Sequence, residues 1–229
     1  MRLALFDFCN TIVDFSTADA YMEYVLKKIN KKERRHKTWK HDFLRKIKIV
    51  WMHDLLVSRR ILRNSMYLNK RLYLDSIAGI SYEDMNQYAL DYYEEKIRPH
   101  IVKLTISELR ARKNEGFRIG VVSGGYDLYL KYFTEEYGID DLICTHIGFD
   151  NQKATGKIDG IDCMNEKKVV LLESYYEGME VDREASYVYS DSRSDLPLLT
   201  WAGNGVVVAK NTEPEWAREN GLRCLIWGE

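Results

Sequence analysis

Residues 3–11 read LALFDFCNT, and this stretch decides the fold class of the 229-residue chain. Its first four residues are apolar, as is typical of a short buried strand. An aspartate follows at position 7, and the polar residues Asn10 and Thr11 come shortly after it. In open α/β sheets, ligands bind beyond the carboxyl ends of the strands. The stretch therefore predicts a strand with a polar site directly after it.

Similar short apolar runs recur along the rest of the chain, and amphipathic helical stretches separate most of them. Alternating strands and helices indicate a parallel sheet covered by helices, that is, an α/β fold. Residues 148–162, which are rich in Gly, Asn and Asp, predict an antiparallel hairpin instead of a helix. The predicted strands are 3–8, 118–122, 142–146, 186–189, 205–208 and 223–226, and the predicted helices are 103–112, 127–137, 166–176, 195–201 and 214–220.

The composition changes near residue 15 and again near residue 99. Between these points Gly79 is the only glycine, and apolar residues recur four apart at Phe43, Ile47 and Trp51. Residues 81–84, with the sequence SYED, predict a helix N-cap, and Pro99 is expected to end that helix. We therefore predict two domains: an α/β core of residues 1–14 and 99–229, and an α-helical cap of residues 15–98 inserted after the first strand.

The charge is divided unevenly between these parts. Residues 15–98 contain 18 Lys and Arg against 11 Asp and Glu, whereas the rest contains 16 against 24. The densest basic run, residues 27–37, is either a solvated helix face or a patch that attracts an anionic partner. No nucleic-acid-binding motif accompanies it, so we predict no nucleic-acid partner.

The compartment and redox state that we expect rest on membrane-span, signal-peptide and CxxC patterns, none of which we find in the sequence. No apolar run reaches the 18 to 20 residues of a membrane span, and Asp7 comes too early for a signal peptide, so we expect a cytoplasmic protein without a membrane span. The cysteines at 9, 144, 163 and 224 form no CxxC pair, which argues against a zinc site or a disulfide framework. We expect ordinary thiols, with Cys9 a separate case.

Four polar clusters follow predicted strands or open predicted helices: residues 7–11, 123–125, 166–168 and 190–195. Carboxylates such as Asp7 and Asp191 suit Mg²⁺, and a serine before two glycines can cradle an anion. A lysine at a helix start adds positive charge for phosphate. A single aspartate after a strand is often a turn former, but four clusters at one sheet edge indicate phosphoryl transfer.

The ordered set resembles the haloacid dehalogenase superfamily, in its phosphoserine-phosphatase-like branch. The family pattern D-x-D-x-T resembles DFCNT at 7–11, and its Ser/Thr motif resembles VVSGG at 121–125. Its lysine motif resembles TGKI at 155–158 with NEKKV at 165–169, and its acidic motif resembles YSDSRSDLPLL at 189–199. The resemblance covers nearly the whole chain. It implies a Rossmann-like core, a helical cap, and Mg²⁺-dependent hydrolysis of a small-molecule phosphomonoester through an aspartyl-phosphate.

The resemblance also implies roles for single residues. Asp7 would be the nucleophile and a Mg²⁺ ligand. The backbone carbonyl of Cys9 and the carboxylate of Asp191 would complete the protein's share of the metal ligands. Asp195 would act on them through water or hydrogen bonds.

Phosphate binding would fall to a second group of residues. Thr11, Ser123 and the N–H of Gly124 would hold the phosphate oxygens. Lys168 would pair with the phosphate and with Asp7, and Lys167 is the competing candidate.

Cys9 departs from the family pattern, because the family has an acid/base aspartate at that position. A thiol is a weak hydrogen-bond donor with a reference pKa of about 8.5. Loss of general acid–base catalysis typically costs about 10²- to 10⁴-fold in rate. Metal binding by the Cys9 backbone carbonyl does not depend on the side chain.

Several functions are compatible with Cys9. The enzyme could hydrolyse esters whose leaving group needs little protonation, or use an acid from the substrate or from His36, His41 or His53 in the cap. It could transfer the phosphoryl group to a bound acceptor, or bind a phospho-ligand without turnover. The basic cap predicts a small phosphorylated metabolite with further negative charge.

Overall fold

A computed structural model describes residues 1–33 and 66–228, with side chains described for 1–29 and 70–228. The chain divides into two compact units. The first consists of Met1–Thr17, Tyr93–His146 and Gly160–Glu229, and the second of Ala18–Tyr92 and Ile147–Asp159.

Strands in the described ranges form one seven-stranded sheet of order β4-β3-β2-β1-β5-β6-β7. Parallel pairing joins β1 to β2 and β5, β2 to β3, and β6 to β5 and β7. The predicted α/β fold is confirmed. The strands are β1 Leu3–Phe6, β2 Arg118–Tyr126, β3 Asp141–Asp150, β4 Lys153–Asp159, β5 Tyr187–Ser190, β6 Asn204–Lys210 and β7 Arg223–Trp227.

Helices follow most of the strands and bury one side against the sheet. In the first unit, Leu5 of the first strand packs in one apolar cluster with Leu172 and Leu198 from the helices. None of the four residues of β1 is accessible to solvent. The described helices are α1 Thr17–Glu33, α2 Met66–Ile77, α3 Tyr82–Tyr92, α4 Lys103–Asn114, α5 Asp127–Tyr137, α6 Lys167–Tyr175, α7 Leu196–Leu199 and α8 Glu215–Glu219. None of them is long and apolar enough to cross a membrane.

The second unit contains most of α1, helices α2 and α3, the end of β3 and all of β4. Its described core is aromatic: the ring of Tyr21 contacts that of Tyr92, and the Tyr21 hydroxyl donates to the Met85 carbonyl at 3.1 Å. Ser81 caps α3 as predicted, because its hydroxyl accepts the N–H of Asp84 at 3.1 Å. The apolar repeat at 43, 47 and 51 lies outside the described residues.

The hairpin is present where the sequence predicts it. Asn151 and Gln152 connect β3 to β4 with φ angles of 46° and 62°. Positive φ at both central residues is the geometry of a tight type I′ hairpin turn, which asparagine tolerates well. The basic run is described only in part; its Lys28 forms an ion pair with Asp91 at 2.8 Å.

Helix α3 ends earlier than the expected break at Pro99. It stops at Tyr92 and continues as a π-helical turn, Tyr93–Ile97, and a 3₁₀ turn, Arg98–His100. The hydroxyl of Tyr93 and the guanidinium of Arg98 both bind the Glu136 carboxylate, at 2.7 and 2.6 Å. This shared anchor on α5 holds the chain in the wider turn.

Candidate active site

The carboxyl ends of β1, β2 and β5 lie side by side. Phe6, the last residue of β1, is in register with Val121 of β2 and Tyr189 of β5. The N–H of Asp7 donates to the Tyr189 carbonyl at 2.8 Å. The polar residues that follow these three strands therefore share one edge of the sheet.

Lys168 joins two of the predicted carboxylates at this edge. Its ammonium donates to Asp7 Oδ1 at 2.7 Å and to Asp195 Oδ2 at 2.6 Å. All three side chains are at least 93% buried. Burial tends to lower the pKa of Lys168, but the two carboxylates outweigh it and raise that pKa, so the lysine stays charged. Lys167, the competing candidate, is exposed.

Asp7 and Asp195 differ in what else surrounds them. Burial raises the pKa of Asp7; the charge of Lys168 opposes this and the charge of Asp195 adds to it. Asp195 accepts a further hydrogen bond from the Ser190 hydroxyl at 2.7 Å. Asp195 is thus held by two donors on one oxygen, while one oxygen of Asp7 carries the contact to Lys168.

The loop before α6 positions Lys168. Thr145 of β3 donates its hydroxyl to the Asp162 carboxylate at 2.8 Å and accepts the N–H of Cys163 at 3.1 Å. Asn165 then takes a positive φ of 54°, which turns the chain into the helix. The buried Thr145 of β3 therefore anchors the loop that leads to Lys168.

The serine–glycine motif forms a bulge in β2. Ser123 is paired with Cys144, and the next pair is Tyr126 with Thr145, so Gly124 and Gly125 are extra residues on this strand. A Cβ on Gly124 would lie 2.8 Å from Met164 Cγ, which only glycine avoids without a shift. The buried Ser123 hydroxyl accepts the Gly125 N–H at 3.1 Å. The bulge is a compact anion-binding candidate.

Thr11 and Asp191 are linked to each other. The N–H of Asp191 donates to the Thr11 hydroxyl at 3.0 Å, and that hydroxyl contacts the Asp191 carboxylate at 3.4 Å. Burial, followed by the charge of Asp7, raises the pKa of Asp191 to about 7. The negative charge of Asp7 thus disfavours the charged form of Asp191, and a bound cation would offset this repulsion.

The donor set at this edge fits a small hard cation. In residues 1–33 and 66–228, no group of three or more His, Cys, Asp or Glu side chains forms a metal cage. Two carboxylates with backbone oxygen remain, and Mg²⁺ is typically bound by one or two carboxylates together with water and substrate phosphate. The residues present thus fit Mg²⁺ better than a metal that needs a full protein cage.

The side chain of Cys9 is bound to its own loop. Its sulfur accepts the N–H of Thr17 at 3.4 Å and contacts the Thr17 hydroxyl at 3.1 Å. That hydroxyl contacts the Tyr129 hydroxyl at 2.7 Å, and both residues are fully buried. Burial, followed by the charge of Asp7, raises the pKa of Cys9 to about 11. No sequence motif marks Thr17 or Tyr129, so neither residue is predicted from the sequence.

The other predicted positions fall as follows. No disulfide joins any of the four cysteines: Cys144 and Cys163 are buried, and Cys224 is half-buried. His36, His41 and His53, the candidate replacement acids, lie outside the described residues.

The chain is similar to proteins of a known family. The model of the haloacid dehalogenase-like hydrolase family matches residues 4–200. The chain belongs to this family. Its relatives include a histidinol-phosphatase from Neisseria meningitidis, 24% identical over 98% of both chains. A phosphoserine phosphatase from Methanocaldococcus jannaschii is 24% identical over 88% of this chain and 82% of its own.

Solved structures of low sequence identity have a fold similar to that of this chain. A protein of unknown function from Bordetella pertussis has a TM-score of 0.75 at 22% identity, covering 98% of this chain and 97% of its own. A phosphoserine phosphatase solved as an analogue of its phospho-aspartyl intermediate has a TM-score of 0.61 at 19% identity, covering 98% and 92%. The predicted superfamily, its phosphoserine-phosphatase-like branch and the phosphatase class of hydrolase are confirmed.

Proposed function

We propose that this chain is a Mg²⁺-dependent phosphatase that hydrolyses a small-molecule phosphomonoester through an aspartyl-phosphate on Asp7. The observation that carries the proposal is the buried ammonium of Lys168, 2.7 Å from Asp7 at the carboxyl edge of the sheet. A carboxylate positioned beside a fixed cation is suited to attack phosphorus, since phosphoryl transfer depends mainly on positioning and charge stabilisation.

The reaction would proceed in two steps. An oxygen of Asp7 forms a bond to phosphorus while the bond to the ester oxygen breaks, and the alcohol or its anion leaves. Water then attacks the aspartyl-phosphate, which releases inorganic phosphate and restores Asp7. In both steps Lys168 stabilises negative charge on the phosphoryl oxygens, and Asp195 keeps Lys168 in place from the other side.

Asp7, Asp191 and the backbone carbonyl of Cys9 would hold Mg²⁺. When bound, the cation supplies positive charge to the transferred phosphoryl group. The contact between Thr11 and Asp191 fixes the loop that carries Asp191 against the loop that carries Asp7.

The bulge in β2 would bind the phosphate oxygens. Ser123 supplies a hydroxyl, and Gly124 supplies a backbone N–H at a point where a side chain does not fit. Thr11 is part of the same proposal, although its hydroxyl also serves Asp191.

The substrate is a small phosphorylated metabolite with additional negative charge. The relatives act, by their names, on histidinol phosphate or on phosphoserine, and each is only 24% identical to this chain. We therefore carry over the chemical class, a phosphomonoester, and neither compound. The net positive charge of residues 15–98 supports an anionic substrate, whose kcat/KM would fall with rising ionic strength.

A phosphate-release screen tests this function. Purified protein would be assayed with Mg²⁺ on a panel of phosphomonoesters that includes phosphoserine, histidinol phosphate and aryl phosphates. We expect release with at least one ester, loss of release with EDTA, and its return with added Mg²⁺. Transfer of phosphate to an added alcohol without free phosphate would favour a phosphotransferase instead. Ester binding without either product would favour a binding protein.

A further inference from the structure

The described ionisable groups around Asp7 form hydrogen bonds or ion pairs with other groups of the protein. Lys168 is shared between Asp7 and Asp195, and Asp195 also accepts from Ser190. Asp191 is bound to Thr11. The protons that make these contacts are therefore engaged within the protein.

The Cys9 thiol is also hydrogen-bonded within the protein, and its contacts extend to the bulge in β2. The thiol lies between the N–H and the hydroxyl of Thr17, and that hydroxyl meets the phenol of Tyr129. The Tyr129 phenol in turn lies where a side chain on Gly125 would be, only 2.5 Å from an added Cβ. A chain of hydrogen bonds thus fixes the thiol, and Thr17 and Tyr129 are its positioning residues.

We infer that Thr17 and Tyr129 hold the Cys9 thiol out of leaving-group chemistry, so that the site selects phosphoesters whose leaving group departs as a stable anion. Such esters are aryl, enol and acyl phosphates, which need no proton from the enzyme. This inference rests on the proposed phosphatase function and names the substrate class of the same site.

The bond changes for this class balance without a protein acid. The Asp7 oxygen forms its bond to phosphorus, and the bond to the ester oxygen breaks with its electron pair on the leaving phenolate, enolate or carboxylate. That anion takes a proton from bulk water or remains charged. A water molecule then forms a bond to phosphorus while the bond between phosphorus and the Asp7 oxygen breaks with its electron pair on Asp7. Inorganic phosphate leaves, and one proton of the water passes to solvent. For a primary alkyl ester, the departing alkoxide would need a proton at once, which makes the first step slow.

The dependence of kcat/KM on leaving-group pKa tests this directly. The probes are substituted phenyl phosphates of graded phenol pKa and a primary alkyl phosphate, with Mg²⁺, on the wild type and on Cys9→Asp and Cys9→Ser. We expect kcat/KM to fall steeply with leaving-group pKa in the wild type and in Cys9→Ser. In Cys9→Asp, the alkyl ester should gain about 10²- to 10⁴-fold, whereas the most acidic phenol gains little.

The role of Thr17 has its own readout. An aspartate at position 9 has two carboxyl oxygens, so one can accept from the N–H and hydroxyl of Thr17 while the other remains for the leaving group. Thr17→Val in the Cys9→Asp background should therefore remove most of the gain with the alkyl ester. Tyr129→Phe in that background should remove part of it and serves if Thr17→Val does not fold. Full retention of the gain in both would overturn the positioning role.

Two other outcomes would overturn two different claims. A flat dependence in an active wild type would overturn the selection for stable leaving groups, because a proton donor would then be in place. No phosphate release from any ester by either the wild type or Cys9→Asp would overturn the proposed phosphatase function itself, and this inference with it.

Discussion

Two buried aspartates of the first unit show opposite uses of the same side chain. Asp141 opens β3, is 2% exposed, and receives two hydrogen bonds from Arg118 at 2.6 Å each. The phenols of Tyr176 and Tyr175 also donate to it, at 2.6 and 3.0 Å. Asp7 follows β1, is 5% exposed, and shares the one ammonium of Lys168 with another carboxylate.

The difference in partners reverses the effect of burial. Burial tends to raise the pKa of Asp141, but the hydrogen bonds of Arg118, Tyr176 and Tyr175 outweigh it and lower that pKa. Burial raises the pKa of Asp7, and Lys168 compensates only in part. A carboxylate with four donors stabilises the fold, whereas one that lacks them is available to a substrate or a cation.

Asp7→Asn is expected to have the largest effect on activity. Removal of the nucleophile should lower phosphate release by about 10⁴-fold or more, while the fold loses no stability, because an energetically costly buried charge is removed. Phosphate release and thermal unfolding measure the two properties. Turnover close to that of the wild type would rule out Asp7 as the nucleophile.

Lys168→Met should be nearly as severe. Without the ammonium, Asp7 and Asp195 face each other without a cation, and kcat should fall by about 10²- to 10³-fold. The matched control is Lys167→Met, one residue earlier on the exposed side of the helix, which should keep wild-type kcat. Equal losses in both variants would contradict the assignment of Lys168.

Asp141→Asn should do the reverse of Asp7→Asn. The substitution replaces a charged carboxylate that accepts four hydrogen bonds. It should lower the free energy of unfolding by about 2 to 3 kcal/mol. For a chain of this length, Tm should fall by roughly 4 to 12 °C, with kcat/KM unchanged below that temperature. A loss of activity without a loss of stability would break the comparison.

The smallest expected effect concerns acid stability. Because the folded pKa of Asp141 lies below its ordinary value of 3.8, its contribution is complete above that value and is lost as the pH falls through the folded pKa. The difference in unfolding free energy between wild type and Asp141→Asn should therefore shrink between about pH 5 and pH 2. Denaturant unfolding at several pH values measures it, and a constant difference would contradict the lowered pKa.

The sequence alone predicts the features that depend on residues close together in the chain. Apolar runs and helix caps identify the strands, the hairpin and the cap of α3 at Ser81, because pattern and local hydrogen bonds determine them. The pairing of Asp7 with Lys168 is implied by the family resemblance, whereas the choice between Lys167 and Lys168 depends on the orientation of the helix that carries them.

Contacts between distant residues could not be predicted in this way. Thr17 and Tyr129 are 112 positions apart and carry no motif, yet their hydroxyls are 2.7 Å apart. The donors around Asp141 likewise come from β2 and from the end of α6, and only the packed fold brings them together. Side-chain partners of this kind depend on tertiary packing, which a single sequence does not show.

Trapping the covalent intermediate tests the central claim most directly. The protein would be mixed with Mg²⁺ and an aryl phosphate, quenched in acid during turnover, and digested with trypsin for mass spectrometry. We expect one phosphoryl group on the peptide of residues 3–27, located at Asp7 and absent from Asp7→Asn. A phosphoryl group on another residue, or none during measurable turnover, would contradict it.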